Sequence, residues 1–297
     1  MKKVLITGAT GFVGINLTKY LLSNQFIVEE ISIRFGNNIS IPKVNTIVHL
    51  SGKAHDLKNV ANPDEYYKSN FELTKSLFDA FLKSDAEKFI FLSSVKAVAD
   101  TVEDILTEDV MPNPQTHYGK SKLMAEEYIR SQIIPKNKSY IILRPCMIHG
   151  PHNKGNLNLL YQFVKKGLPY PLGAFDNDRS FLSIDNLCFI IKNIIDKSIQ
   201  SGIYNVSDDE NISSNELIRL IANSLNKRER IINVPKNTIY NLARIGDFLK
   251  LPFNPDVLNK LTSNYKVSNN KIVTAINYSL PTSLKQGLIK TLNSFEQ

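Results

Sequence analysis

Cysteine is scarce in this chain: Cys146 and Cys188 are the only two, and no CxxC spacing occurs. A disulfide framework is therefore excluded, and a reducing compartment, hence a cytoplasmic location, is expected. No apolar run reaches the ~18 to 20 residues of a membrane span. The start, Met1-Lys2-Lys3 followed by Val4-Leu5-Ile6, has the outline of a signal peptide, but Thr7-Gly8 cut the run short. Like charges never form a block of five or six, and zinc-finger spacing and sustained heptads are missing. Nucleic acid and membrane are therefore not expected as partners. Internal repeats and low-complexity linkers are lacking too.

What is present suits a folded soluble protein. The 297 residues are 42% hydrophobic and 22% charged, which is ordinary for a globular chain. That length can bury a large core, so one large or two closely joined domains are expected. Thirty-six Lys+Arg against 28 Asp+Glu give a net charge of +8. The lysines are scattered, as on a solvated surface, which leaves a small anionic ligand open.

The first half alternates short apolar segments with helical spacing. Strands are expected at residues 3–7, 27–33, 45–50, 88–92 and 139–143, and helices at 12–22, 63–82 and 118–133. Phe71, Leu73, Leu77, Phe78 and Phe81 can all face a core. Strands separated by helices imply a parallel sheet. After about residue 150 the pattern loosens: helices are expected at 157–166, 185–196, 214–225 and 283–295, with a strand at 203–206. The expected fold is α/β, a Rossmann-type doubly wound parallel sheet with a smaller, mostly helical C-terminal lobe. Residues 1–150 would form the dinucleotide-binding domain, with segments near 180–206 returning to it, and residues 151–297 the lobe.

Gly8, Gly11 and Gly14 follow the first strand and open the first helix in a GxxGxxG spacing. Gly8 allows a tight turn, Gly11 allows backbone to approach a pyrophosphate, and Gly14 lets helix and strand pack closely. The helix N-terminus around Phe12 and Val13 then favours phosphate. An acid at the end of the second strand would read a 2′-hydroxyl; an arginine there would accept a 2′-phosphate. Counting 18 residues past Gly14 reaches Ser32, Glu29 and Glu30 lie earlier, and Arg34 follows. NADP(H) is thus favoured over NAD(H), unless Arg34 is merely a solvated strand-end residue.

Tyr118 and Lys122 form a YxxxK pair, on one face of a helix at i and i+4. A free tyrosine has a pKa near ~10, and a nearby ammonium is expected to lower it towards useful values. The lysine can also hold a ribose hydroxyl. Ser94 ends the fourth strand, 24 residues before Tyr118, and its hydroxyl could orient a substrate oxygen. His149-x-x-His152 lacks a cysteine or acid partner nearby, so no metal is expected.

With these residues in order, the chain resembles the extended short-chain dehydrogenase/reductase superfamily, in its nucleotide-sugar epimerase/dehydratase branch. The matching pieces are GATGFVG (8–14), IVHLSGKAH (47–55), YKSNFELTKSL (67–77), KFIFLSS (88–94), YGKSK (118–122), LRPCMIHGP (143–151) and RSFLSIDN (179–186). The resemblance implies that Leu50, Ser51 and Lys53 lie along the cofactor and that Asn70 supports it. It implies that Ser94, Tyr118 and Lys122 are the catalytic trio and that Arg179 contacts a substrate diphosphate, the alternative being a loop salt bridge. Asn156, Leu172 in the 168–173 segment and Arg179 would hold the nucleotide diphosphate. Lys96 would add a positive charge near sugar or phosphate, unless it points to solvent. Many relatives carry Asn where this chain has Met147.

Dehydratases of this branch carry an Asp-Glu pair after the catalytic hydroxyl residue; Val95 and Lys96 stand there instead, and neither can perform that elimination. Two hydride-transfer readings remain, a 4-keto reductase with exchanging NAD(P)H and a 4-epimerase with retained NAD. The segments at 91–98, 152–160 and 167–186 resemble a subgroup that reduces UDP-2-acetamido-2,6-dideoxy-4-hexulose for surface polysaccharide, although that subgroup often carries the label of UDP-glucose 4-epimerase. Members that only sense a dinucleotide typically lose the tyrosine or lysine, and both are present. A UDP-sugar is therefore the expected substrate, and related folds suggest a homodimer through helices around 66–82 and 118–133.

Overall fold

A computed structural model describes every residue except 35, 37–38, 54–61, 154, 251–252 and 296–297. Parts of two matching segments, Ala54, His55 and Lys154, thus lie outside the described residues. The strands are β1 (Lys3–Thr7), β2 (Ile27–Ile31), β3 (Thr46–His49), β4 (Lys88–Leu92), β5 (Ile105–Leu106), β6 (Ser139–Pro145), β7 (Met147–His149), β8 (Arg179–Ser183), β9 (Gly202–Val206), β10 (Asn211–Ile212) and β11 (Lys266–Val267). The helices of the first half are α1 (Phe12–Ser23), α2 (Pro63–Tyr66), α3 (Leu73–Lys83) and α4 (His117–Ser131). The second half holds α5 (Asn156–Lys165), α6 (Ile184–Asp196), α7 (Ser214–Ser224), α8 (Lys236–Phe248), α9 (Pro255–Thr262), α10 (Asn270–Ile276) and α11 (Leu284–Asn293).

Six parallel strands form the main sheet in the order β2-β1-β3-β4-β6-β9. Both faces are covered, so the strands read as continuous apolar runs rather than alternating ones. Alternate residues still divide between the faces. Val4, Ile6, Val48, Ile90, Ile141 and Leu143 pack with α1, α6 and α10, whereas Leu5, Ile47, Phe89, Phe91 and Ile142 pack with α3 and α4. A third cluster, built from α5, α7, α8, α9 and α11, lies apart from both. The Rossmann-type sheet is as expected.

The single helix expected over 63–82 is broken into α2, a π-helical turn (Tyr67–Glu72) and α3. The wider turn holds Asn70, fully buried, with its carbonyl accepting from the Thr74 hydroxyl at 2.7 Å. Such insertions recur at functional sites. In the second half, capping boxes start α7 (Ser213 with Glu216) and α11 (Ser283 with Gln286). The sequence reading lacked β5, β7, β8, β10, β11 and α8 to α10.

Candidate active site

The chain leaves β1 for β2 on one side and returns to β3 on the other, so a crevice opens at the C-terminal ends of β1 and β3. The glycine loop fills its rim. Gly8 sits at φ +74°, and a Cβ there would lie 2.7 Å from the Ser51 nitrogen, so only glycine lets the two loops touch. Gly14 packs against the same turn, where a Cβ would meet the Gly8 carbonyl at 2.3 Å. Gly11 caps α1 without any side-chain hydrogen bond and no acid stands in the first turn. The amide groups of Phe12 and Val13 therefore have no intrahelical acceptor and suit an anion.

Across the crevice, the Leu50 amide donates to the Thr7 carbonyl at 3.1 Å and the Ser51 amide to Thr7 Oγ1 at 3.4 Å. Asn70 ties down the next turn, accepting from the Lys53 amide at 2.8 Å and donating to the Lys53 carbonyl at 3.2 Å and to Ser121 Oγ at 3.0 Å. Lys53 itself is turned onto the Glu65 carboxylate and over the Tyr66 ring. Its backbone faces the crevice turn while its ammonium is held by a surface acid. Arg34 is exposed three residues beyond the end of β2. Glu29 lies 3.9 Å from the Lys3 ammonium and Glu30 accepts from the Thr18 hydroxyl at 3.0 Å. Neither acid lies past the strand end. This uncapped helix start between glycines fits a dinucleotide diphosphate.

Ser94, Tyr118 and Lys122 converge at the end of β4. Ser94 caps the short turn Val95–Ala97 and its Oγ accepts from the Lys96 amide at 3.2 Å. Thr116 Oγ1 caps α4, accepting from the Gly119 amide at 3.1 Å, which places Tyr118 in the first turn. The Tyr118 hydroxyl hydrogen-bonds Ser94. Gly119 makes this approach possible: a Cβ there would sit 2.3 Å from the Lys96 carbonyl.

One expectation is corrected. Tyr118 is raised above the ordinary phenol range, because burial outweighs the opposing hydrogen bond from Ser94. Lys122 does not depress it, since its Nζ donates to the Leu92 carbonyl at 2.9 Å and lies over the Phe91 ring. Burial in turn lowers Lys122 to about 8, with Glu126 opposing that shift. Its Nζ is 3.4 Å from where a Cβ on Gly52 would lie, beside the crevice turn.

Two buried networks behind this trio had no counterpart in the sequence reading. Glu126, one turn after Lys122, accepts from Ser93 Oγ at 2.5 Å and forms a bidentate pair with Arg144 of β6. Both charged side chains are almost fully buried. His49 lies between the hydroxyls of Thr7 (Nδ1, 2.7 Å) and Thr74 (Nε2, 2.9 Å). Thr74 gives its proton to the Asn70 carbonyl, so it accepts from Nε2–H and Nδ1 accepts from Thr7. The imidazole is neutral, and burial, reinforced by Lys122, lowers it to about 3. The legible signal was a buried-looking histidine at the end of an apolar strand.

Beyond the trio, Lys96 does not point to solvent. Its ammonium donates to the Asp100 carbonyl at 2.8 Å and lies 4.2 Å from the centre of the Tyr265 ring. Burial lowers it to about 8, Asp100 raises it, and Arg179 and Lys260 lower it further. Arg179 donates to the Lys260 carbonyl at 2.8 Å, and its backbone bridges to Tyr265. Lys96, Arg179 and Lys260 thus form a cationic group held by the 260–267 segment. Asn156 is exposed at the first position of α5. Leu172 is different: its side chain is buried in the third cluster, its backbone bridges to Asn233, and its carbonyl accepts from the Phe175 amide at 3.0 Å. Met147 packs against that cluster too. His149 is buried, with Nδ1 on Thr291 Oγ1 at 2.9 Å and Nε2 3.7 Å from Asp208.

A Rossmann sheet with a glycine loop at its switch point and a Ser-Tyr-Lys group at the next strand end defines a dinucleotide-dependent enzyme of the short-chain dehydrogenase/reductase type. The profile of the NAD dependent epimerase/dehydratase family matches residues 34–207, and the chain belongs to that family, in its nucleotide-sugar branch. It is 30% identical to a UDP-glucose 4-epimerase of Vibrio cholerae, covering 100% of this chain and 96% of that protein. It is 28% identical to an N-acetyl-alpha-D-glucosaminyl-diphospho-ditrans,octacis-undecaprenol 4-epimerase of Escherichia coli O157:H7, over 97% of this chain and 94% of that one. Among solved structures, MoeE5 in complex with UDP-glucuronic acid and NAD superposes with a TM-score of 0.77 at 18% identity, covering 99% of each chain. The protein is thus an NAD(P)-dependent enzyme. Among the described residues, no helix is long and apolar enough to cross a membrane.

Proposed function

We propose that the protein reduces the C4 ketone of a UDP-4-keto-6-deoxy-N-acetylhexosamine with NADPH. The observation that carries this reading is the run from Ile31 to His55 without Asp or Glu, with Arg34 following β2, which suits the 2′-phosphate of an exchanging NADPH better than a free 2′-hydroxyl. Tyr118, raised by burial and hydrogen-bonded to Ser94, can give the proton that reduction of a C4 ketone needs.

When bound, the dinucleotide supplies hydride. Gly8, Gly11 and Gly14 with the amides of Phe12 and Val13 hold its diphosphate, Arg34 its adenosine ribose, and Leu50, Ser51 and the Lys53 backbone the far wall, braced by Asn70. Lys122 serves a ribose hydroxyl. Ser94 Oγ orients the substrate carbonyl oxygen, and the Tyr118 hydroxyl passes its proton to that oxygen as the C4 carbon is reduced. Lys96 and Arg179 offset the nucleotide diphosphate charge, and Asn156 and the backbone at Leu172 border the same ligand. Residues 1–150, joined by β9, would bind the dinucleotide, and residues 151–297 mainly the nucleotide sugar.

A second reading, a UDP-sugar 4-epimerase with retained NAD, is favoured by the names of the two relatives above. The purified enzyme is to be incubated with the 4-keto-6-deoxy UDP-sugar and NADPH, and separately with UDP-N-acetylglucosamine and UDP-glucose without added cofactor, with products followed by NMR. Stoichiometric NADPH consumption with a new C4 alcohol is expected. Interconversion of C4 epimers on tightly held NAD, without NADPH consumption, overturns the reductase reading.

A further inference from the structure

Helix α8 is apolar on two sides. Ile239, Ala243 and Gly246 face inward and are buried, the first two in the third cluster. On the opposite side Leu242 (50% exposed), Ile245 (53%), Phe248 (87%) and Leu249 (57%) stand in solvent. At 100° per residue these four fall within one outer sector of the helix. Leu261 of α9, which packs on α8, is exposed as well. An exposed apolar patch of this kind marks an interaction surface.

The surrounding charge says what covers it. Residues 227–266 hold eight Lys or Arg against three Asp or Glu, a net +5 of the chain's +8. Arg244 lies on α8 beside the apolar sector and Lys250 follows its end, whereas Lys236 lies on the inward side, over the Phe175 ring. A second copy docking α8 on α8 would bring these cations against each other. The dimer suggested by the resemblance uses the α3 and α4 region and leaves this face uncovered. Exposed Leu, Ile and Phe beside Lys and Arg are the composition of a helix that lies in a membrane interface.

We propose that the outer face of α8 docks reversibly on an anionic bilayer surface, Leu242, Ile245, Phe248 and Leu249 entering the acyl boundary and Arg244 and Lys250 meeting anionic headgroups. No spanning segment is needed for this contact. The inference is independent of the reaction catalysed.

The test is sedimentation of the full chain with phosphatidylcholine vesicles containing or lacking about one third phosphatidylglycerol, at low and high salt. Binding to the anionic vesicles only, weakened by salt, is expected. A Phe248→Asp/Leu249→Asp variant should lose at least about tenfold in partitioning, with its circular dichroism and turnover of soluble substrate unchanged. An Arg244→Gln/Lys250→Gln variant, which spares the apolar face, should weaken binding to anionic vesicles in the same direction. Lack of binding to anionic vesicles, or equal binding by the wild type and the Asp variant, overturns the proposal. So does a change of oligomeric state in the Asp variant by light scattering without vesicle binding by the wild type, which would assign the face to another protein surface.

Discussion

Glu126 should be the residue on which both the stability and the alkaline limit of activity depend. Its carboxylate is almost fully buried between Ser93, Arg144 and Lys122, and it is what holds Lys122 up against burial. Glu126→Gln keeps the shape but leaves the Arg144 guanidinium buried without a counter-charge. Among the described residues Arg144 Nη1 already has no hydrogen-bond partner, so the guanidinium has little else to lean on. Breaking one partner of a buried pair costs about 3–5 kcal/mol. Arg144→Met should cost a similar amount, whereas the double variant should recover part of the loss, because neither charge is then stranded.

The second readout separates placement from mere stability. Lys122 sits at about 8 with Glu126 in place. Without that carboxylate the ammonium form is less favoured, so its pKa falls. The alkaline limb of kcat/KM should move to lower pH in Glu126→Gln and stay near the wild-type position in the conservative Glu126→Asp. Urea unfolding and pH–rate profiles of the wild type and the four variants suffice. A Glu126→Gln variant that loses under about 1 kcal/mol, or whose alkaline limb does not move, refutes the reasoning.

Tyr118→Phe removes the proton donor and should lower kcat by at least about a hundredfold while fluorescence titration shows unchanged NADPH affinity; near-normal turnover contradicts the assigned role. Arg34→Ala should raise the KM for NADPH by about 10- to 100-fold and leave that for NADH nearly unchanged, and equal effects on both would remove the 2′-phosphate contact. Lys96, at about 8 in the free protein, is held protonated by a bound diphosphate, so UDP binding takes up a proton. Affinity measured by calorimetry should fall as pH rises through about 8, and Lys96→Met should flatten that slope. His49 is lowered from 6.5 to about 3, so the unfolded chain binds more protons between these values and stability falls as pH drops through that window. The loss reaches about 5 kcal/mol, and His49→Gln should show a shallower acid limb in thermal unfolding.

The first half of the fold was legible because its strands and helices are long enough to carry a period. Lys88–Leu92 is an apolar run between polar ends, and Phe12–Ser23 follows a glycine loop whose purpose is physical. The later strands were not legible for the opposite reason: Asn211–Ile212 and Lys266–Val267 are two residues each and too short for alternation to exist. Their partners are set by long-range contacts such as the Tyr265 carbonyl accepting from the Ser180 amide. The same limit applied to the site. The spacing of Tyr118 and Lys122 predicted a shared helix face, yet not that Leu92 would hold the lysine. Leu172 read as a ligand contact from its segment, but its side chain fills the lobe's core.

The placement of the trio rests on backbone approach as much as on reactive groups. Ser94 and Tyr118 come from different elements, β4's end and α4's start, and their hydroxyls can meet only if those backbones nearly touch. Gly119 permits this against the Lys96 carbonyl, and Thr116 stops the helix from starting one turn earlier. The carboxylate of Glu126 then fixes α4 to β6 through Arg144 and to β4 through Ser93, so the helix carrying Tyr118 and Lys122 is tied to the strand end carrying Ser94. For the proposed reaction, then, the glycine of YGKSK and the later Glu126 are positioning residues for the tyrosine. They decide whether a phenol raised by burial lies against Ser94 or faces water. A group positioned in this way loses little entropy when the substrate carbonyl arrives, which is where such enzymes gain rate.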